Sequence, residues 1–311
     1  MNETSLRPAA SGRGLGAVLL AAMLLGTVGV TTRQLYAISA ANPLSIAFFR
    51  LAIGTPVLAI VCGRMLGRRA WRIARPDLAL MLLLGATLGS SQALYFTAIA
   101  ASGVTAATLI TLCTSPILVT IGSSVLLREQ VTPATLLALL SALGGTALLV
   151  GLGQPGGAPS GLAAGALASL GAALCYSVFT LASRHLAQRY HPLQTLTVGF
   201  AVGSILLLIL ALAGGLVVDY PPAGWAMLLY LGTIPSALAY SLFLAGIGSI
   251  TATLASISAL VEPLTATLLA WLIFGEKLGP FGILGAVLLL AAILVLYRAQ
   301  RTPQAELPFP E

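Results

Sequence analysis

Three ionisable side chains lie deep inside long apolar runs: Arg33, Arg50 and Glu262. A charge at a helix centre in hydrocarbon costs about 2.5–3.5 kcal/mol on insertion scales, so such groups mark ligand or ion paths or pair with one another. A cation and an anion facing one cavity have the chemistry to hold a molecule carrying both charges, its carboxylate on Arg50 and its ammonium on Glu262. The competing readings are a structural ion pair between the two and, for Arg33, a side chain snorkelling to the headgroups. Polar and aromatic residues near the middles of other runs extend the candidate cavity: Ser91, Gln92, Tyr95, Thr111, Tyr176, Ser236, Tyr240 and Trp271. Gln92 and Tyr95, three apart, share a helix face, and Ser236 and Tyr240 are four apart. Tyr95, Tyr240 and Trp271 offer rings for stacking on an apolar or aromatic ligand. Taken singly, a hydroxyl can serve only its own helix backbone and a ring can serve only packing.

Four prolines interrupt apolar runs: Pro56, Pro116, Pro235 and Pro263. Each removes a hydrogen bond to the carbonyl four residues earlier. In lipid that freed carbonyl must find another partner. Pro116 and Pro263 are expected to bend their helices, as fixed kinks or as hinges.

Other chemistries are excluded by what the sequence lacks. It has no HExxH and no GxxxxGK[ST] loop, which argues against an intramembrane metalloprotease and against ATP hydrolysis. Cys62, Cys113 and Cys175 fall in apolar runs without CxxC spacing, so neither a disulfide framework nor a metal site is expected. His185 and His191 read as solvated loop residues. No cofactor and no nucleic acid is called for.

The elements that position these residues follow from composition. Of 311 residues, 58% are apolar and 7% charged, with a mean hydropathy of +1.02. Soluble domains carry about 25% charged residues, so most of this surface must face lipid. A bilayer core takes about 20 apolar residues per helix. The runs predict an all-α membrane protein with ten spans: 15–37, 44–66, 78–100, 105–127, 134–152, 161–183, 193–215, 224–246, 252–274 and 281–298. Short turn-forming links join them, such as Asn42-Pro43, Gln154-Pro155-Gly156-Gly157 and Tyr220-Pro221-Pro222. Gly85-xxx-Gly89, Gly161-xxx-Gly165 and Gly199-xxx-Gly203 allow close helix contact.

Twelve of the 15 Lys and Arg residues fall on one side of such a topology: Arg7, Arg13, Arg64, Arg68, Arg69, Arg72, Arg75, Arg128, Arg184, Arg189, Arg298 and Arg301. Only Lys277 falls opposite. Positive loops stay in the cytoplasm, which places both termini there and requires an even number of spans.

The chain also repeats itself. Pro116, Glu129 and Pro133 recur as Pro263, Glu276 and Pro280, each 147 residues on, and Phe96/Phe243, Ser102/Ser249 and Gly14/Gly161 share that offset. The Pro43-Leu44 and Pro192-Leu193 pairs, with Gly54 and Gly203, are 149 apart. The expected organisation is a tail over 1–14, one five-helix unit over 15–152, a second over 161–298 and a tail over 299–311. Five is odd, so the second unit enters the membrane from the opposite side. Inverted repeats of this kind frame a site at the midplane.

The stretch Ala106–Pro133, with Leu127-Arg128-Glu129-Gln130, and the stretch from Glu262-Pro263 to Phe274-Gly275-Glu276-Lys277-Leu278 resemble the EamA family of the drug/metabolite transporter superfamily. Each has a midhelix proline, an apolar run and an acidic residue at the helix end. The first copy departs in having Arg128 where Gly is usual. The resemblance spans both halves. It implies ten helices in the bacterial inner membrane and export or exchange of a small-molecule substrate, with amino acids, including aromatic ones, among the cargoes. It implies no obligate protein partner beyond the lipid bilayer. A carrier or flippase of nucleotide sugars or lipid-linked sugars on the same fold is the second reading.

Overall fold

The structure is a computed structural model, and it describes residues 12–151, 162–275 and 279–301. Arg7, the link holding Gln154–Gly157, Gly161, Glu276 with Lys277, and the tail beyond Arg301 lie outside the described residues. The first unit comprises α1 (Gly12–Ile38), α2 (Pro43–Leu66), α3 (Arg75–Ser102), α4 (Val104–Leu126) and α5 (Pro133–Gly151). The second comprises α6 (Leu162–Leu186), α7 (Pro192–Ala213), α8 (Pro222–Gly232), α9 (Ala239–Ile247), α10 (Ala252–Ala259), α11 (Val261–Phe274) and α12 (Pro280–Arg301). A π turn over Thr233–Leu238 joins α8 to α9 as one span, and α10 with α11 makes the next. Among the described residues nine spans are long and apolar enough to cross a bilayer, and the tenth, Pro133–Leu149 in α5, is shorter.

The helix starts follow local rules. Asn42 caps α2 by accepting from the Ser45 N–H at 2.8 Å, and Pro43 fills the first helical position, where a missing N–H costs nothing. His191, expected as a solvated loop residue, is exposed and also caps α7. Its Nδ1 accepts from the Leu193 N–H at 3.3 Å while Gln194 accepts from the His191 N–H at 3.2 Å.

Glycine contacts show how the halves are related. A Cβ on Gly54 would sit 3.0 Å from the Phe200 ring, and one on Gly203 would sit 2.9 Å from Leu51. Gly54/Gly203 and Leu51/Phe200 share one sequence offset, so equivalent helices α2 and α7 make one contact twice. The contact pairs run in opposite directions along the two helices, so the helices are antiparallel. α5 and α12 also run antiparallel, since Gly145 lies against Leu289 while Gly285 lies against Leu149. Equivalent helices packed antiparallel require inverted repeats.

The first helices need a different alignment from the one expected. Gly14 packs on Ser249 and Gly165 packs on Ser102. Since Ser102 and Ser249 are equivalent, the partner of Gly14 is Gly165, one helical turn beyond Gly161. Gly26 and Ser177 agree with this. Gly26 lies against the Glu262 carbonyl, and the Ser177 hydroxyl donates to the Ser115 carbonyl at 3.3 Å.

Pro116 and Pro263 are not bent alike. The ninth span breaks between α10 and α11, where the Leu260 N–H turns back to the Ile257 carbonyl at 3.1 Å. The fourth stays one helix through Pro116. Around Pro116, Ser115 donates to the Thr111 carbonyl at 2.7 Å, and Ser177 reaches in from α6. In the other half Gly26 stands where Ser177 would, so no hydroxyl supports the backbone from that side. Thr120 and Thr267, each four residues past its proline, donate to the proline carbonyl at 2.7 Å in both halves.

Arg128 occupies a left-handed backbone conformation, φ 53°, as Gly275 does at φ 69°. The two are equivalent positions in the repeat, and both end helices. A side chain there costs about 1–2 kcal/mol, which explains why glycine suits the place. Arg128→Gly is therefore expected to raise the thermal unfolding midpoint in detergent by about 2 °C or more. A second pair of adjacent substitutions separates close packing from helix propensity. A Cβ on Gly145 would meet the Gly285 carbonyl at 2.6 Å, whereas Gly144 has nothing within 4 Å. Gly145→Ala is expected to destabilise by about 1–3 kcal/mol, and Gly144→Ala to stabilise by about 0.5–1 kcal/mol.

Candidate functional site

Pro235 begins the site. It has no N–H for the Leu231 carbonyl, and the π turn opens around it. The Ser236 hydroxyl takes over, donating to the Leu231 carbonyl at 2.7 Å. Its oxygen in turn accepts the Arg50 Nε–H at 3.3 Å. The guanidinium of α2 is thus held by a hydroxyl that exists there because a proline left a carbonyl open. Gly232 lets the two helices come this close, since a Cβ on it would meet the Ile53 Cβ at 2.7 Å and the Arg50 carbonyl at 3.2 Å. Arg50 is only 7% exposed.

Glu262 lies in the first turn of α11, just past the break at Leu260. A carboxylate in the first turn of a helix is favoured by the exposed N–H groups and the positive end of the dipole. It is half-buried. Arg50, Tyr240 and Glu262 lie within mutual electrostatic reach, and Tyr95 and Tyr176 lie within reach of Glu262. Among the described residues no ion pair of 4.0 Å or less joins Arg50 to Glu262. Arg184–Glu129 and Arg189–Asp77 do form such pairs, at 3.7 and 3.3 Å.

Gln92 lies beside the Tyr240 hydroxyl. Tyr95 shares a hydrogen bond with Thr108 at 2.6 Å. Behind the tyrosines stands an aromatic wall. Phe179 contacts Tyr176 at 5.9 Å, Tyr240 at 5.7 Å and Phe243 at 6.3 Å between centroids, and Phe200 meets Tyr240 edge-on at 5.5 Å. Phe179 and Phe200 have no exposed surface. They set the tyrosines, and edge-to-face pairs of this kind hold rings in fixed orientations.

Of the side chains named from sequence, Arg50, Gln92, Tyr95, Tyr176, Ser236, Tyr240 and Glu262 are therefore brought together. Four are not. Ser91 donates to the Ala172 carbonyl at 3.0 Å and Thr111 to the Ser169 carbonyl at 3.4 Å, so both pin α6. Trp271 is nine residues past Glu262, about 13 Å along α11, and is 47% exposed. Arg33 is exposed and its guanidinium lies 4.0 Å over the Phe274 ring. Phe179, Phe200 and Thr108 belong to the site without standing out in the sequence. Only Thr108 carries a signal there, as one more hydroxyl in the fourth apolar run. Among the described residues no three His, Cys, Asp or Glu side chains gather as metal ligands. A surface cleft of about 670 Å³ at Met65, Leu66, Arg68 and Arg72 lies at the other end of α2 from Arg50.

Inverted five-helix repeats around a polar, aromatic-lined cluster define a polytopic membrane carrier. The sequence relations give the family. The model of the EamA-like transporter family matches residues 12–151 and again 163–298, and this chain belongs to that family. It is 32% identical over 286 residues to the "Uncharacterized transporter YwfM" of Bacillus subtilis, covering 91% of this chain and 93% of that one. It is 31% identical over 288 residues to an "Uncharacterized transporter" of Archaeoglobus fulgidus, covering 92% and 96%. A crystal structure superposes with a TM-score of 0.80 at 20% identity, covering 93% of this chain and 99% of that one. That likeness concerns the fold alone. The chain is a multi-pass membrane protein and a small-molecule transporter.

The hydrogen-bond relay from Arg50 makes a specific stability prediction. Ser236→Ala leaves the Leu231 carbonyl unpartnered and is expected to destabilise by about 1–3 kcal/mol. Pro235→Ala restores an N–H for that carbonyl. The double variant Pro235→Ala/Ser236→Ala is therefore expected to unfold at a higher temperature than Ser236→Ala alone. A double variant no more stable than the single one overturns the relay.

Proposed function

We propose that this protein is an amino-acid exporter of a bacterial inner membrane, with aromatic or apolar amino acids as cargo. One observation carries the reading. A buried guanidinium and a half-buried carboxylate face one aromatic-walled cluster, and no direct ion pair joins them among the described residues. Such a pair suits a zwitterion. Arg50 takes the substrate carboxylate through a charge-assisted hydrogen bond, and Glu262 takes the ammonium. Tyr95, Tyr176 and Tyr240 flank the side chain, the rings offering faces and the hydroxyls fixing its orientation. Gln92, beside the Tyr240 hydroxyl, adds a further polar group for the substrate.

Cargo moves by alternating access, with the inverted halves exchanging roles around the fixed cluster. The break at Leu260 lets α11 tilt relative to α10, so Pro263 serves as the hinge and the unbroken α4 around Pro116 as its stiffer counterpart. Twelve basic residues on one side orient that side to the cytoplasm. The carrier works without a cofactor or partner protein, in lipid alone. The absence of a nucleotide-binding loop in the sequence fits movement down a gradient or coupled to an ion.

Purified protein in proteoliposomes, loaded with a panel of labelled amino acids, tests the reading by counterflow. Flux is expected for aromatic or apolar amino acids. Arg50→Gln and Glu262→Gln are each expected to lower it about ten-fold or more, since a hydrogen bond to a charged group contributes about 1.5–3 kcal/mol. Wild-type flux from both variants refutes the site. Flux of nucleotide sugars or lipid-linked sugars with none of any amino acid replaces the cargo with the second class.

A further inference from the structure

Outside the central cluster the structure buries a second charged group, Arg184, at the arginine-rich end. Its side chain is 7% exposed. Its Nη1 donates to the Gly248 carbonyl at 2.7 Å, and its Nε lies 3.7 Å from Glu129 Oε1. The same Glu129 oxygen accepts the Ala252 N–H at 2.9 Å. Gly248 follows α9, and Ala252 opens α10. One cation from α6 and one anion from beyond α4 therefore hold both ends of the turn between α9 and α10. Ser123 on α4 adds a hydroxyl contact to Thr253 at 3.1 Å. Glu129 comes from the first repeat, and every other member of the contact except Ser123 comes from the second.

Three features mark this as a contact made to be broken. The ion pair is long for a buried one, and no group among the described residues hydrogen-bonds the buried Glu129 Oε2. A buried charge left incompletely paired is costly, so the closed state is held loosely. The segment it grips, α10, is the short helix that ends at the break beside Glu262. And the chain carries the same cation at its other end. Arg33 precedes Arg184 by the same offset that relates Gly14 to Gly165 and Gly26 to Ser177.

We infer that Arg184 and Glu129 are further working residues of the transporter. They form the lock that closes the arginine-rich end, and its release lets α10 move away from α4 and opens the central cluster to that side. The inference rests on the alternating-access reading, but its test needs no substrate, so it fails or stands apart from the cargo.

The test uses thiol labelling in a cysteine-free background, with Cys62, Cys113 and Cys175 replaced by Ser. Ser256→Cys reports on α10, where Ser256 is 2% exposed. Thr108→Cys reports on the end of α4 that lies away from the lock. Adding Glu129→Gln or Arg184→Gln is expected to raise labelling of Ser256→Cys about ten-fold, the response to about 1.4 kcal/mol lost from the closed state. Labelling of Thr108→Cys is expected to fall in the same proteins, because opening one end closes the other. A rise at Ser256→Cys without a fall at Thr108→Cys means local fraying and overturns the lock. So does an unchanged rate at both. Should the single variants not fold, the charge-keeping variants Glu129→Asp and Arg184→Lys serve, since each retains its acceptor or donor. Each is expected to raise Ser256→Cys labelling by less than ten-fold and to lower that of Thr108→Cys, and a rise without that fall, or no change at either, overturns the lock.

Discussion

Lipid offers no hydrogen-bond partner, so every backbone carbonyl within the membrane must be satisfied by the protein itself. That constraint organises this structure. Each midhelix proline leaves a carbonyl to be accounted for, and hydroxyl side chains gather near three of the prolines. Ser236 covers Leu231 behind Pro235. Thr120 and Thr267 bond the carbonyls of Pro116 and Pro263 themselves, one turn on from the ones those prolines free. Only where neighbouring support is missing, at Pro263, does the helix part. The site grows out of these repairs. Arg50 is held by the hydroxyl that repairs Pro235, and Glu262 rides on the helix start that the break at Leu260 creates.

The duplicated scaffold and the site obey different rules. Contacts that hold helices together are kept in both halves. Gly85 lies against Gly199 and Val202, and Gly232 lies against Arg50 and Ile53, in matching order. The two charges of the central cluster are not kept. At the offsets of their helices, Arg50 corresponds to Gly199 and Glu262 to Ser115. Packing demands small residues at crossings wherever they occur, so duplication preserves them. Under the proposed reading a zwitterionic ligand needs one cation and one anion, and each half supplies one of them to the cluster.

This division explains what is legible in the sequence. Arg50 and Glu262 are visible because an intramembrane charge is expensive anywhere in a helix. Gln92, Tyr95, Tyr176, Ser236 and Tyr240 are visible because they interrupt apolar runs near span centres. Ser91, Thr111 and Trp271 share those properties yet point elsewhere, since residue type and depth leave the rotation of each helix open. Phe179 and Phe200 look like any apolar residue in sequence, and only the packing shows them setting the tyrosines. Arg184 is hidden by its neighbours. Lying among charged loop residues, it counts as one more positive charge, and its burial depends on the α9–α10 turn folding back over α6. The one-turn slip between Gly161 and Gly165 has a similar cause: apolar helices of small residues align almost equally well at either offset.

Symmetric packing also constrains energetics. Where two halves make the same contacts, exchanging their conformations leaves those contacts nearly unchanged in sum, so packing alone holds the two exchanged states close in free energy. A few kcal/mol then decide which state is populated. What remains to separate them are the departures from symmetry. One is the break at Pro263 against the intact helix at Pro116. The other is the surroundings of the two equivalent arginines, Arg184 buried on Glu129 and Gly248 and Arg33 lying exposed over Phe274. Under the proposed reading, a substrate bridging Arg50 and Glu262 acts across the joint between the halves and beside the broken helix. Its binding energy is thereby applied where the exchange of states has the least packing to overcome.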